Sequence, residues 1–171
     1  MAPDGDIPNE PAASRRLLTR FDEYIRAYAE LVRNASRELR LFDPDARQLE
    51  LGSSARIDLL FQFLRGAPTR RLWLAVHDTR HLATECPLFL RLLGQFAAQM
   101  EVRVTCGEAR RAEDCFLVAD AAHVLRRAVA AQPRGALYEH DPATAATQRE
   151  RFEQIWVATE PGLTPGPLGL S

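Results

Sequence analysis

His77 and His81 stand four residues apart, with Asp78 between them and Cys86 five residues further on. Imidazole, thiolate and carboxylate together are the donor set of a zinc site. The same residues allow a nucleophilic reading. Cys86 directly precedes Pro87, where a helix is expected to start, and a helix amino terminus lowers a thiol's pKa. Either histidine could then act as base. Each reading has a plain rival. A histidine pair in a loop lacks the rigid spacing a metal requires, and a small side chain ahead of Pro87 suits a helix cap. No metal, catalytic residue or cofactor is therefore assigned.

A second constellation is basic. Arg110, Arg111, Arg126, Arg127 and Arg134 crowd the second half of the chain. Guanidinium groups grip phosphate bidentately, so this cluster suits a small phosphorylated or otherwise anionic ligand. Its rival is a solvated surface neutralised by Glu108, Glu113, Asp114 and Glu139. No aromatic residue interleaves with the arginines, which argues against a single-stranded nucleic acid as partner. All 22 basic residues are arginine, which excludes lysine chemistry: no Schiff base and no phosphate-loop lysine. The formal charge of −1 gives no general attraction to nucleic acid or to a membrane surface. Cys86, Cys106 and Cys115 are odd in number, which points to free thiols in a reducing cytoplasm rather than a disulfide scaffold. No apolar run is long enough for a bilayer span, so no membrane partner is expected.

The elements that must position these groups are legible as periodicities. A length of 171 residues with 46% hydrophobic content fits one domain with its own core. Residues 1–13 read as a flexible leader, 14–159 as a single α/β domain, and 160–171 as a flexible tail rich in proline and glycine. Ser14 is a candidate cap for a long amphipathic helix carrying Leu17, Leu18, Phe21, Tyr24, Ile25, Tyr28, Leu31, Val32 and Ala35 on one stripe. A strand follows around Leu39 and Leu41 and ends at the turn Asp43-Pro44-Asp45. Ser53 or Ser54 caps the next helix, and Gly66 stops it. Leu72 to Val76 reads as a central strand covered on both faces, with Trp73 buried in it. A helix after Pro87, strands around Val102, Cys115–Ala119, His123–Val129 and Ala136–His140, and a final helix carrying Phe152, Ile155 and a buried Trp156 complete the chain. The early alternation requires parallel strands with helices packed on them, and the close spacing of the later strands requires an antiparallel extension. Asp43, His77, Asp78 and Arg80 then fall just past strand carboxyl ends, where open α/β sheets form their ligand crevice.

That order resembles one repeat of the phospholipase D superfamily from about Glu38 to Thr159. The local likeness lies in Ala35-Ser36-Arg37-Glu38-Leu39-Arg40-Leu41 at the opening and Phe152-Glu153-Gln154-Ile155-Trp156 at the end. The stretch also looks like an uncharacterised bacterial domain found beside acetyltransferase domains. The superfamily's catalytic motif is His-x-Lys-x-x-x-x-Asp. Its counterpart here runs from Glu113 to Asp120, with Glu113 at the histidine position, Cys115 at the lysine position and only Asp120 in agreement. A carboxylate would repel an anionic substrate, and a thiol supplies no positive charge. The resemblance therefore implies a degenerate repeat without phosphodiesterase activity, a non-catalytic interaction or ligand-binding domain. A lone repeat of that family commonly pairs with itself, which implies a homodimer or a protein partner, with Leu17, Phe21, Tyr24, Tyr28 and Leu31 as a docking stripe. The alternatives are an enzyme using Cys86 or the His77–His81 loop, and a regulatory domain holding a phosphorylated ligand. Candidate ligand-binding residues are Asp43, His77, Asp78, Arg80, Asp120, Arg126 and Arg127.

Overall fold

A computed structural model describes residues 9–165 of the chain. Its elements are β1 (Ser14–Leu18), α1 (Phe21–Asn34), β2 (Glu38–Phe42), α2 (Ser54–Arg65), β3 (Arg71–Val76), α3 (Arg80–Glu85), α4 (Pro87–Gln95), β4 (Met100–Thr105), β5 (Cys115–Ala119), β6 (His123–Arg127), β7 (Gly135–Glu139), α5 (Pro142–Val157) and β8 (Thr159–Leu163). All eight strands join one mixed sheet in the order β1-β7-β6-β5-β2-β3-β4-β8. The β2/β3 and β3/β4 pairs are parallel, and β5, β6 and β7 extend the sheet antiparallel from β2. This is the expected α/β architecture.

Two apolar layers hold it. On one face α1, α2 and α4 bury Tyr28, Leu60 and Phe89 against Leu39, Leu74 and Leu117. On the other, α5 lays Phe152 and Ile155 on Phe42, Phe116 and Val118. β5 lies between the two layers, and all five of its residues are buried. Ser53 caps α2 by accepting from the N–H of Arg56, and Asp141 caps α5 by accepting from the N–H of Thr144.

Four expectations are corrected. Ser14 does not cap a helix: Ser14–Leu18 is an edge strand paired antiparallel with β7. Leu17 is 65% exposed and Leu18 1%, the alternation of a strand. Its sequence is equally compatible with a helical stripe, and the open side of β7 decides. The helix itself begins at Phe21, with Asp22 and Glu23 in its first turn. Second, the expected docking stripe is consumed by the fold. Tyr24, Tyr28 and Leu31 are buried against the chain's own sheet, and only Leu17 and Phe21 of that set reach the surface.

Third, the expected tail begins with a strand. Thr159–Leu163 pairs antiparallel with β4 around an irregularity between Val102 and Arg103. Gly162 passes so close to β4 that a Cβ there would meet the Val102 carbonyl at 3.0 Å. The rest of the tail, from residue 166, and the first eight residues of the leader lie outside the described residues. Fourth, Trp73 and Trp156 are half-buried rather than buried. Arg40 and Arg103 cover their outer faces at 4.5 and 5.6 Å, because single-helix cover leaves that side of the sheet partly open. Among the described residues, no helix is long and apolar enough to cross a membrane.

Candidate functional site

The parallel strands β2, β3 and β4 all end at one side of the sheet. Just past β2, the Asp43 carboxylate accepts from the N–H groups of Ala46 (2.7 Å) and Asp45 (3.2 Å), folding the Asp-Pro-Asp turn over the sheet end. Asp43 is buried, and burial raises its pKa against the pull of those two donors. The chain then makes a short 3₁₀ turn, Arg47–Leu49, which presents Arg47 and Gln48.

His77 follows β3. Its Nε2 lies 2.7 Å from the carbonyl of Ala112, and its Nδ1 lies 2.5 Å from the Thr105 hydroxyl beyond β4. A carbonyl only accepts, so Nε2 carries the proton and Nδ1 accepts from Thr105. Both nitrogens of His77 are used, and its ring stands edge-on to Phe42. It ties β3 to the 3₁₀ segment Gly107–Arg111 that precedes β5.

The antiparallel strands contribute from their opposite ends. β5 starts and β6 stops at this side, so Glu113 and Arg127 arrive here. Cys115 and Arg127 are direct cross-strand partners. Arg127 is 1% exposed. Its Nε donates to Cys115 Sγ at 3.3 Å and its Nη1 donates to Gln48 Oε1 at 2.5 Å. Its guanidinium lies over the rings of Tyr24 (4.3 Å) and Phe21 (5.0 Å). Among the described residues, no carboxylate is within ion-pair distance of Arg127, and nothing accepts from its Nη2. A buried cation left in this state is costly unless something pairs with it. Position 115, at the start of β5, is thus a thiol, and a positive charge stands beside it on the next strand.

These groups line a cavity of about 680 Å³, with Asp43 and Arg127 buried, His77 and Gln48 half-buried, Arg47, Arg110, Arg111 and Glu113 exposed around its mouth, and Val129 and Ala130 as an apolar wall. Arg47 pairs with Asp45 and Arg111 with Glu108, both at 3.2 Å, on the exposed rim. Both ring nitrogens of His77, the imidazole that lines this cavity, are engaged in hydrogen bonds.

The remaining sequence candidates separate. Asp78 and Arg80 pair with each other at 2.5 Å on the surface beside His81, outside this cavity. Arg126 faces the opposite side of β6, near the Arg151–Asp114 ion pair. Asp120 lies at the far end of the sheet, where its carboxylate accepts from the N–H groups of Ser36, Arg37 and Glu38 at 2.8, 2.8 and 3.0 Å and so anchors the start of β2. Arg134 is exposed in the turn before β7.

His81 Nε2 is 3.6 Å from Cys86 Sγ, and Glu85 is 3.4 Å from His81 Nδ1 but out of hydrogen-bond geometry. Cys86 is fully buried, and burial pushes its thiol pKa up, the reverse of an activated nucleophile. Among the described residues, no three His, Cys, Asp or Glu side chains form a metal-binding group. Arg47, Gln48 and Tyr24 escaped sequence reasoning. The signal for Arg127 was present, since it shares a strand face with buried Leu125 two residues earlier.

Over residues 20–163 the chain matches the sequence profile of the family described as "Domain of unknown function (DUF7931)". No curated protein matches it. Solved structures share the fold at low identity. TrmBL2, an archaeal chromatin protein whose structure is described as showing a novel mode of DNA binding, superposes with a TM-score of 0.66 at 13% identity; the match covers 93% of this chain and 56% of that one, so this chain spans little more than half its length. Nuc from Salmonella typhimurium, a phospholipase D family member, gives 0.61 at 8% identity over 90% of this chain and all of Nuc. NucT from Helicobacter pylori gives 0.62 at 6% over 88% of this chain and all of NucT. The shared feature is the phospholipase D-like fold.

Proposed function

The chain belongs to the DUF7931 family and carries the phospholipase D-like fold, and from that premise we propose that it is a non-catalytic ligand-binding domain that takes a small anion, such as a phosphate group, in the cavity beyond β2 and β3. The observation that carries this reading is Arg127: a buried guanidinium with no carboxylate partner among the described residues, lining a cavity ringed by Arg47, Arg110 and Arg111. Such a group is stabilised by an arriving anion through charge-assisted hydrogen bonds. Glu113 and Cys115 at the motif positions, and the fully engaged His77, support the absence of phosphodiester chemistry. The reading as an enzyme built on Cys86 lacks substrate access, since the sulfur is covered. DNA binding, described for TrmBL2, gains no support from a formal charge of −1.

Calorimetric titration with inorganic phosphate tests the proposal. Binding is expected, weakened at least about tenfold in Arg127→Gln, the loss of one charge-assisted contact. Bis(p-nitrophenyl) phosphate and phospholipid vesicles should show no turnover. Absence of phosphate binding, or diester turnover lost in Asp43→Asn, would overturn it.

Pairing of two copies is a second reading. It no longer rests on the stripe of α1 but on Leu17 and Phe21, the large apolar side chains exposed around the β1–α1 junction. Sedimentation equilibrium at micromolar concentration should give twice the 19.2 kDa chain mass, reduced to the single mass by Leu17→Glu. A single-chain mass at every concentration would refute it.

A further inference from the structure

We propose that the ligand of this cavity is zwitterionic: an anionic group held by Arg127 and an ammonium, a few bonds away, held by Asp43. The inference rests on the anion-site reading above and specifies its ligand class.

Asp43 and Arg127 are the two buried charged side chains of the cavity. Opposite charges in a water-poor site attract strongly, yet these two do not come within 4 Å of each other. Each is held back by its own ties. Asp43 is fixed by the N–H groups of Asp45 and Ala46, which it needs to form the turn. Arg127 is fixed by Cys115, Gln48 and the faces of Tyr24 and Phe21. The two groups therefore stand as opposite poles that line one cavity without a direct ion pair between them. An anion alone satisfies Arg127 but adds a like charge to the Asp43 side. A zwitterion satisfies both poles and brings one unit less net negative charge into the low-dielectric space than the same anion without its ammonium. Burial raises Asp43's pKa and the charge of Arg127 offsets this only in part; among the described residues no cation forms an ion pair with its carboxylate.

The mouth carries both signs on both sides: Arg110, Arg111 and Glu113 by β5, and Asp45 paired with Arg47 after β2. The apolar wall of Val129 and Ala130 leaves room in the 680 Å³ for a substituent beyond the charged groups.

Two ligands that differ by the ammonium alone decide the matter: O-phosphoethanolamine and ethyl phosphate, titrated calorimetrically into the full chain at one ionic strength. Phosphoethanolamine should bind at least about tenfold tighter, the scale of one desolvated charge pair. In Asp43→Asn, which keeps an oxygen to accept from Ala46, that ratio should fall below about twofold. Equal affinity for the two ligands in the unmodified protein overturns the zwitterion inference and leaves the anion site standing. Failure of both ligands and of inorganic phosphate to bind overturns the anion site itself. A tenfold preference that survives in Asp43→Asn shows that the ammonium is held elsewhere and also overturns the assignment. If Asp43→Asn does not fold, the comparison in the unmodified protein still decides.

Discussion

Arg127 donates through Nε to the sulfur of Cys115, its direct cross-strand partner, at 3.3 Å. A neutral thiol is a weak acceptor, so this contact orients the guanidinium without discharging it. Among the described residues no carboxylate forms an ion pair with that charge.

If Arg127 serves binding as proposed, its removal should leave the fold intact. Replacing a buried, poorly compensated charge by an apolar side chain of similar length is often neutral or stabilising. Arg127→Met should therefore unfold in urea within about 1 kcal/mol of the parent while losing phosphate binding. A loss of more than about 3 kcal/mol would make Arg127 a structural keystone instead.

Tyr28 tests the interior placement of α1. It is almost fully buried against the sheet. Tyr28→Ala should destabilise the domain by about 3–5 kcal/mol, as deletions of buried aromatic rings do. Its sedimenting mass, measured where the variant stays folded, should equal the parent's. A variant of parental stability but altered mass would put the helix at an interface.

Asp120 works at the end of the sheet remote from the cavity. Asp120→Ala should cost about 1–2 kcal/mol by removing the acceptor shared by the N–H groups of Ser36, Arg37 and Glu38. Phosphate affinity should not change. Asp120→Asn should be milder, because asparagine accepts too and tolerates the left-handed backbone here, φ 54°. Reduced affinity in either folded variant would tie Asp120 to the site.

Acid should weaken the fold through His123. Burial and the neighbouring His140 hold its pKa below the usual 6.5, and its Nδ1 accepts from the N–H of His140 at 3.1 Å. The unfolded chain thus binds the proton more readily than the folded one. The stability contribution is full above about pH 6.5 and is lost as pH falls toward the depressed folded value. Urea midpoints should drop between pH 7 and pH 5, and His123→Gln should flatten that drop. An unchanged slope in the variant would assign the effect to other groups.

The architecture was largely legible in the sequence. Leu72–Val76 and Cys115–Ala119 declare buried strands by continuous apolar runs, and the alternation of strands with helices around them fixes parallel pairing. Ser14–Leu18 and Thr159–Leu163 were not legible. Edge strands take their conformation from the open side of a neighbour, so short mixed segments such as these carry no periodicity that separates them from a helix turn or a tail. The two tryptophans were misjudged for a related reason: apolar type predicts contact with the sheet, and the cover above it depends on how many helices pack there.

The site divides the same way. By itself the sequence determined that the chain has no lysine and that Glu113 and Cys115 precede Asp120, because residue type at a position is a covalent fact. It also placed Asp43 and His77 at strand carboxyl ends, because local turn chemistry and strand length set that. Only the tertiary structure decided that Arg127, but not Arg126, joins them. The two differ by one residue, and in a strand one residue is the difference between opposite faces. Only it decided that Asp43 and Arg127 share a cavity without touching. That depends on the register of β5 with β6 and on the turn that holds Asp43 back, two long-range geometries with no trace in residue order.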